Sequence, residues 1–268
     1  MTPQELVLAA VAAIFTDYDL ETAKGLLAPD YIQHNVAVPT GADPILGFIP
    51  ALEESGIALT THRVITEGDM VVLQNTYENA QALGAGTLVA FDVFRVADGQ
   101  VVEHWDNLQV PPAETVSGRS MTDGPTEVVD LELTADNKAL VEGFIADVLQ
   151  GGAPNKITDY ISSDLYLQHN PMVGDGLDVL GAALAAIAEA GQPMAYAETH
   201  MVVAEGNFVF AASEGTIGET PTAFFDLFRV DDGTTLWRGL FEVGPVLNRS
   251  ALLLQVAIEV TEVLDLPR

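Results

Sequence analysis

The chain opens on an apolar stripe. Leu6, Ala10, Ala13 and Ile14 fall on one helical face, behind Thr2 as a cap, Pro3 in the first turn and Glu5 at the positive helix end. A second short helix is expected over Leu20–Leu27, ended by Pro29 and Asp30, with Tyr31–Asn35 extended or turning. A third runs from Asp43-Pro44 to Glu54, closed by Ser55-Gly56. Beyond Gly56 the period shortens to that of strands. Ile57–Thr66, Met70–Ala80, Thr87–Val96 and Gln100–Val110 are rich in β-formers. Between them lie the turn-forming segments Glu67-Gly68-Asp69, Gly84-Ala85-Gly86 and Ala97-Asp98-Gly99. Helices followed by an antiparallel meander describe an α+β domain, with helices laid on a curved, mainly antiparallel sheet.

The same pattern then repeats. Tyr31-Ile32-Gln33-His34-Asn35 returns as Tyr166-Leu167-Gln168-His169-Asn170, and Thr61-His62 as Thr199-His200. Asp92-Val93-Phe94-Arg95-Val96 returns as Asp226-Leu227-Phe228-Arg229-Val230. Offsets of 134 to 138 residues mean a copied domain rather than a short solenoid repeat. The expected organisation is a first domain over 1–112, a linker over 113–133 and a second domain over 134–268. In the second copy, helices are expected from Thr134, with Leu140, Phe144 and Val148 on one stripe, and over Asp178–Glu189. Strands are expected over Ala195–Ala204, Phe208–Thr216, Thr222–Val230 and Thr235–Val243, and a helical tail over Leu247–Leu264.

Charge narrows the partners. The 268 residues carry 39 acidic and 10 basic side chains, a formal charge of −29. Such a surface repels phosphate backbones and anionic lipids, so neither nucleic acid nor membrane is an expected partner. It promotes solubility, in a saline habitat or elsewhere. With no cysteine, the chain has no disulfide, thiolate metal site or cysteine nucleophile. Leu6–Phe15 is too short to span a bilayer, and no basic segment precedes it. A cytoplasmic protein is expected.

All five histidines belong to the repeated signature, and His104 alone has no counterpart, its place being taken by Arg238 or a near neighbour. Strand alternation sets His104 and Asp106 on one face with Val102 and Leu108. It groups Asp92 with Ala90 and Phe94, and His62 with Thr60 and Val64. Apolar faces holding one or two ionisable groups suit a pocket wall. Asp106 is the sharpest candidate, because a carboxylate on an apolar wall is harder to ionise and can exchange protons near neutral pH. It could equally just satisfy His104. Asp92, present in both copies, suits a structural or a proton-handling role. His34, with Gln33 and Asn35, is a ligand contact or a polar tie between helices and sheet. His62 is a pocket group or a satisfied core histidine. No two candidate ligands share a short helical spacing, so no metal site is expected. Neither a nucleophile elbow nor a phosphate loop is present.

Tyr31–Asn35, His62, Glu67-Gly68-Asp69, Phe91–Val96, Asp98-Gly99 and Val102-Glu103-His104-Trp105-Asp106, in that order, resemble the SnoaL-like polyketide cyclases of the nuclear transport factor 2-like superfamily. The resemblance implies two tandem cone-like α+β barrels with apolar cavities, forming an internal pseudo-dimer, with further homo-oligomerisation left open. It also implies aldol-type ring closure or a related isomerisation of a small, largely apolar carbonyl compound, a lyase or isomerase reaction without metal or organic cofactor. Asp106 would be the acid/base, joined by His104. Asp92 stands where the family's histidine one strand earlier is expected. Tyr31, Gln33, His34, Asn35, His62 and Trp105 would hold substrate, and His169, His200 and Asp226 would line the second copy's cavity. That copy has Leu236-Trp237-Arg238-Gly239-Leu240 in place of Glu103–Asp106 and is expected to be silent. The competing readings are a non-enzymatic protein holding ligands in two cavities, or a structural protein whose cavities are filled.

Overall fold

The computed structural model describes residues 1–243 except Val36 and Asp164, with side chains described up to residue 235. The helix expected over Leu247–Leu264 lies outside these residues. The described residues divide into two units, one over Met1–Val110 and the other beginning at Pro111.

In the first unit, α1 (Pro3–Phe15) starts on a reciprocal capping box. The Thr2 hydroxyl accepts from the Glu5 backbone, and the Glu5 carboxylate accepts from the Thr2 backbone. Its buried face comprises Leu6, Val7, Ala10, Val11, Ala13 and Ile14. Asp19 caps α2 (Leu20–Leu26), and α3 (Ala42–Ser55) ends at Gly56 in the left-handed conformation, φ 63°. The meander is β2 (Ala58–Glu67), β3 (Met70–Glu78), β4 (Thr87–Ala97) and β5 (Gln100–Gln109). Asp98 and Gly99, both at positive φ, make the tight β4–β5 turn.

A fifth strand departs from the sequence reading. Leu27–Gln33 forms β1, which pairs parallel with β5 at the sheet edge, giving the order β1-β5-β4-β3-β2. Pro29 and Asp30 read as a helix stop and hid it. An edge strand tolerates proline, and the pairing slips between Leu27 and Ile32 around it. The helices pack on the sheet through a core that includes Leu6, Val7, Leu52, Val71, Leu73 and Ala90.

The second unit has the same plan. Its helices are α4 (Thr134–Phe144), extended by one π-helical turn over Ile145–Leu149, then α5 (Ile157–Tyr160) and α6 (Leu177–Glu189). The short β6 (Leu167–Gln168) runs parallel to β10 (Thr234–Val243), followed by β9 (Thr220–Asp231), β8 (Phe208–Ile217) and β7 (Met194–Glu205). The order β6-β10-β9-β8-β7 matches the first sheet. Residues 113–133, expected as a linker, have little regular structure but pack within this unit. Arg119 pairs with Asp175 at 3.1 Å and Asp123 with His169 at 2.6 Å, while the Val129 N–H donates to Asn207 Oδ1 and its carbonyl accepts from the Asn207 backbone N–H. Turn-rich composition shows that such a segment is irregular, not that it is free. No helix among the described residues is long and apolar enough to cross a membrane.

Candidate active site

The first unit holds a cavity between α1, the start of α3 and the helix-facing side of the sheet. Together with the open solvent at its mouth, the space measures about 680 Å³. Its walls are mainly apolar, with Val11, Ile14, Phe15, Ile45, Phe94 and Leu108 prominent. The polar groups gather at the β1–β5–β4 side, which is the composition of a small-molecule site.

Strand register assembles that polar group. Asp92 on β4 stands directly opposite Asp106 on β5, and His104 lies two residues before Asp106 on the same face. Asp92 Oδ2 accepts from Asn75 Nδ2 at 2.7 Å and from the Tyr77 hydroxyl at 2.9 Å. Its Oδ1 faces His104 Nε2 at 3.2 Å. The other ring nitrogen, Nδ1, meets Gln33 Oε1 at 3.1 Å. That oxygen also accepts from the Asn35 backbone N–H, which fixes the orientation of the Gln33 amide. Both ring nitrogens of His104 thus face side-chain oxygens. The ring also stacks on Phe94, with centroids 4.5 Å apart.

Asp106 is gripped differently. Asn35 Nδ2 donates to both of its oxygens, at 3.0 and 2.9 Å. The Ala37 backbone N–H donates to Asn35 Oδ1, so this amide too has one orientation. Burial pushes the Asp106 carboxyl up to about 6. The His104 ring pulls it down, the Asp92 charge raises it, and the Asn35 bonds lower it again. Burial also drives the Tyr31 and Tyr77 phenols well above their ordinary value, helped by the neighbouring Asp106 and Asp92 charges. Both phenols stay protonated. Among the described residues, the Tyr31 hydroxyl accepts from Gln33 Nε2 at 3.5 Å and has no acceptor of its own. Its hydrogen is left for a ligand oxygen.

Six of the sequence candidates therefore line one cavity: Tyr31, Gln33, Asn35, Asp92, His104 and Asp106. Three others, read as substrate contacts, do not. His34 and Trp105 occupy the opposite face of the sheet, where their rings stack 4.7 Å apart and His34 Nε2 meets Glu103 at 2.9 Å. Alternation along β1 and β5 puts each one residue out of phase with the cavity. His62 is the extra residue of a β-bulge between Thr61 and Arg63, which breaks the expected Thr60–His62–Val64 face. Its Nε2 meets the Thr76 hydroxyl at 2.8 Å, and burial, then Arg63, lowers its pKa. Asn75 and Tyr77, which hold Asp92, went unread. Their signal was two polar groups continuing the buried Val71–Leu73 face of β3.

Asp92, His104 and Asp106 each offer a ligand atom, all within 4.8 Å of one another. Those atoms already bond to one another or to Gln33 and Asn35, so a cation would have to displace them. The set fits proton handling better.

In the second unit, β9–β10 register puts Arg238 and Leu240 where the first unit has His104 and Asp106. Asp226 keeps a tyrosine partner, Tyr196 at 3.0 Å, but that phenol comes from β7, whereas Tyr77 comes from β3. His169 pairs with Asp123, and His200 with Glu214 at 3.2 Å. The three residues expected in a second cavity thus go to separate partners. His200 shares a 4.8 Å cluster with Glu198 and Glu214, of which Glu198 is exposed and the other two are half-buried.

Residues 7–104 match the SnoaL-like domain family. The match ends at His104, two residues before Asp106, so the SnoaL-like segment includes every polar cavity group named above except that carboxylate. Several solved structures are similar to the chain. TsrD from Streptomyces laurentii is 24% identical over 40% of this chain and 87% of its own, with a TM-score of 0.34. IdmH from Streptomyces antibioticus, provisionally a polyketide cyclase, is 22% identical over 41% of this chain and 93% of its own, TM-score 0.34. An NTF2-like protein of unknown function from Cytophaga hutchinsonii is 17% identical over 41% and 91%, again at 0.34. No curated protein matches the chain.

Proposed function

We propose that the first unit is a cofactor-free acid/base catalyst of the cyclase or isomerase type, acting on a small, largely apolar carbonyl compound. The observation that carries this is Asp106, a carboxyl group in an apolar cavity with its proton affinity raised to about 6. At neutral pH it is mostly ionised, yet a far stronger base than an exposed aspartate. The SnoaL-like match supports the same reading.

The chemistry follows from the positions. A substrate carbonyl oxygen accepts the free hydrogen of Tyr31. Asp106 takes a proton from the adjacent carbon, and the electron pair moves onto that oxygen, where the Tyr31 hydrogen bond strengthens. In ring closure, the enolate carbon attacks a second carbonyl group, the first carbonyl re-forms, and the second oxygen takes the displaced electron pair together with the proton that Asp106 gives back. In isomerisation, Asp106 returns its proton to a different carbon. His104, fixed by Asp92 and Gln33, lies beside both carboxylates, and its ring pulls the proton affinity of Asp106 back down. The second unit, with leucine at the Asp106 position, is a duplicated domain without this base.

Exchange of substrate α-hydrogens for deuterium in heavy water, followed by mass spectrometry over a panel of enolisable ketones, tests the reading. The intact chain should catalyse exchange with a rate rising through pH 6. Asp106→Asn should lower it by about 100-fold or more, and His200→Ala should leave it unchanged. Equal exchange by Asp106→Asn would remove Asp106 from the chemistry. Binding of the same ketones by both proteins, with exchange by neither, would favour a ligand-holding protein.

A further inference from the structure

Behind the cavity, on the other face of the sheet, lies a buried charged cluster that the chemistry above does not use. The last β1 ladder pair is Gln33 with His104, and the His34 backbone N–H donates to His104 O at 3.0 Å. Side chains then alternate. Gln33 and Asn35 enter the cavity, while His34 turns to the far face. There its Nε2 meets Glu103 Oε1 at 2.9 Å and its ring lies flat on Trp105, 8° from parallel. Arg95 holds the other Glu103 oxygen through Nε at 2.8 Å and a terminal nitrogen at 2.6 Å. His34, Glu103 and Trp105 are 9%, 4% and 1% exposed, so the cluster is shielded from competing water.

We propose that His34 is a positioning residue: its bond to Glu103 and its stacking on Trp105 anchor the end of β1, so that Asn35 on the opposite face grips both oxygens of Asp106. Asn35 stands two residues beyond Gln33, the last residue of β1, and it reaches Asp106 only if the chain leaves β1 at this height and angle. His34 is the intervening residue, and two of its groups, backbone and ring, attach to β5, the strand that carries Asp106. The second unit keeps the histidine and gives it a carboxylate from a different segment, Asp123, at 2.6 Å. Anchoring this segment through histidine is therefore a property of the fold. In the first unit the anchored segment also carries the asparagine that meets the cavity base.

The inference rests on Asp106 being the base, but its test reads proton affinity rather than turnover, so either can fail alone. The groups facing Asp106 are Asn35, His104, Asp92 and Tyr31. Those facing His34 are Glu103 and Trp105, with Arg95 beyond. Carbon-13 titration of the Asp106 carboxyl in the full chain should show a midpoint raised by about half a unit or more in Asn35→Ala, where two stabilising bonds to the charged form are lost. His34→Ala should raise it similarly, and the double variant should go no further, because both act through one contact. His34→Gln, which can still donate to Glu103 but loses the stacking, should bring the midpoint most of the way back. If His34→Ala fails to fold, His34→Phe keeps the stacking, loses the bond, and should give most of the rise. An unchanged midpoint in the folded His34 variant, or shifts that add in the double variant, would overturn the proposal.

Discussion

At the scale of residues, two carboxylates face each other across β4 and β5 and are kept apart in character by their neighbours. Asp92 has tyrosine, asparagine and histidine partners and is fully engaged. Asp106 has one asparagine and an apolar cavity, and burial dominates its proton affinity. This carries a stability cost of definite sign. An unfolded aspartate titrates near ~3.9, and Asp106 in the fold near 6. Between those values the folded chain binds more protons, so the stability Asp106 contributes is present below the lower value and lost as pH rises through the upper one. The loss is on the order of 2 kcal/mol by pH 7, lessened by any water in the cavity. Asp106→Asn does not titrate. Relative to the parent it should gain about that much stability between pH 4 and pH 7.5, read by urea denaturation at both pH values. A difference that does not change with pH would show that the carboxyl is not strained by burial. Strand alternation made Asp92, His104 and Asp106 legible as one group. It could not show that His62 is a bulge residue, because bulges leave the residue pattern intact. Nor did it reveal that the repeated His34 serves the far side of the sheet.

At the scale of elements, helix caps and tight turns were readable and the edge strand was not. Thr2 and Gly56 sit where their chemistry requires, whereas β1 contains Pro29 and Asp30, which propensity assigns to a break. Its strand character comes from pairing with β5, a long-range contact no local pattern contains. That pairing positions Tyr31, Gln33 and Asn35, three of the cavity's seven polar side chains, so the part of the site hardest to place was the part on and just after β1. Gly56 offers a direct check on the local elements. It ends α3 at φ 63° with no atom within 4 Å of an added Cβ. Gly56→Ala should cost about 1–2 kcal/mol through backbone strain alone, measured by chemical denaturation. No loss would mean that the α3 cap does not depend on the left-handed conformation.

At the scale of the whole molecule, one α+β plan occurs twice with different polar contents. The shared strand order was foreshadowed by the repeated motifs, and the matching β9–β10 and β4–β5 registers identify which positions changed. Arg238 and Leu240 replace the histidine and aspartate, while Asp226 keeps a tyrosine drawn from another strand. The buried aspartate–tyrosine pair is thus common to both units, and the second carboxylate with its asparagine grip is particular to the first. The 113–133 segment escaped the sequence reading because its attachments, Arg119 to Asp175 and Asp123 to His169, are side-chain pairs distant in sequence. The central claim concerns a single proton. It is tested most directly by following the carboxyl carbon of Asp106 in the intact, ligand-free chain across pH 3 to 9, its resonance assigned by its absence in Asp106→Asn. A midpoint near 6 is expected; a midpoint near the ordinary ~4 of an exposed aspartate would contradict the account.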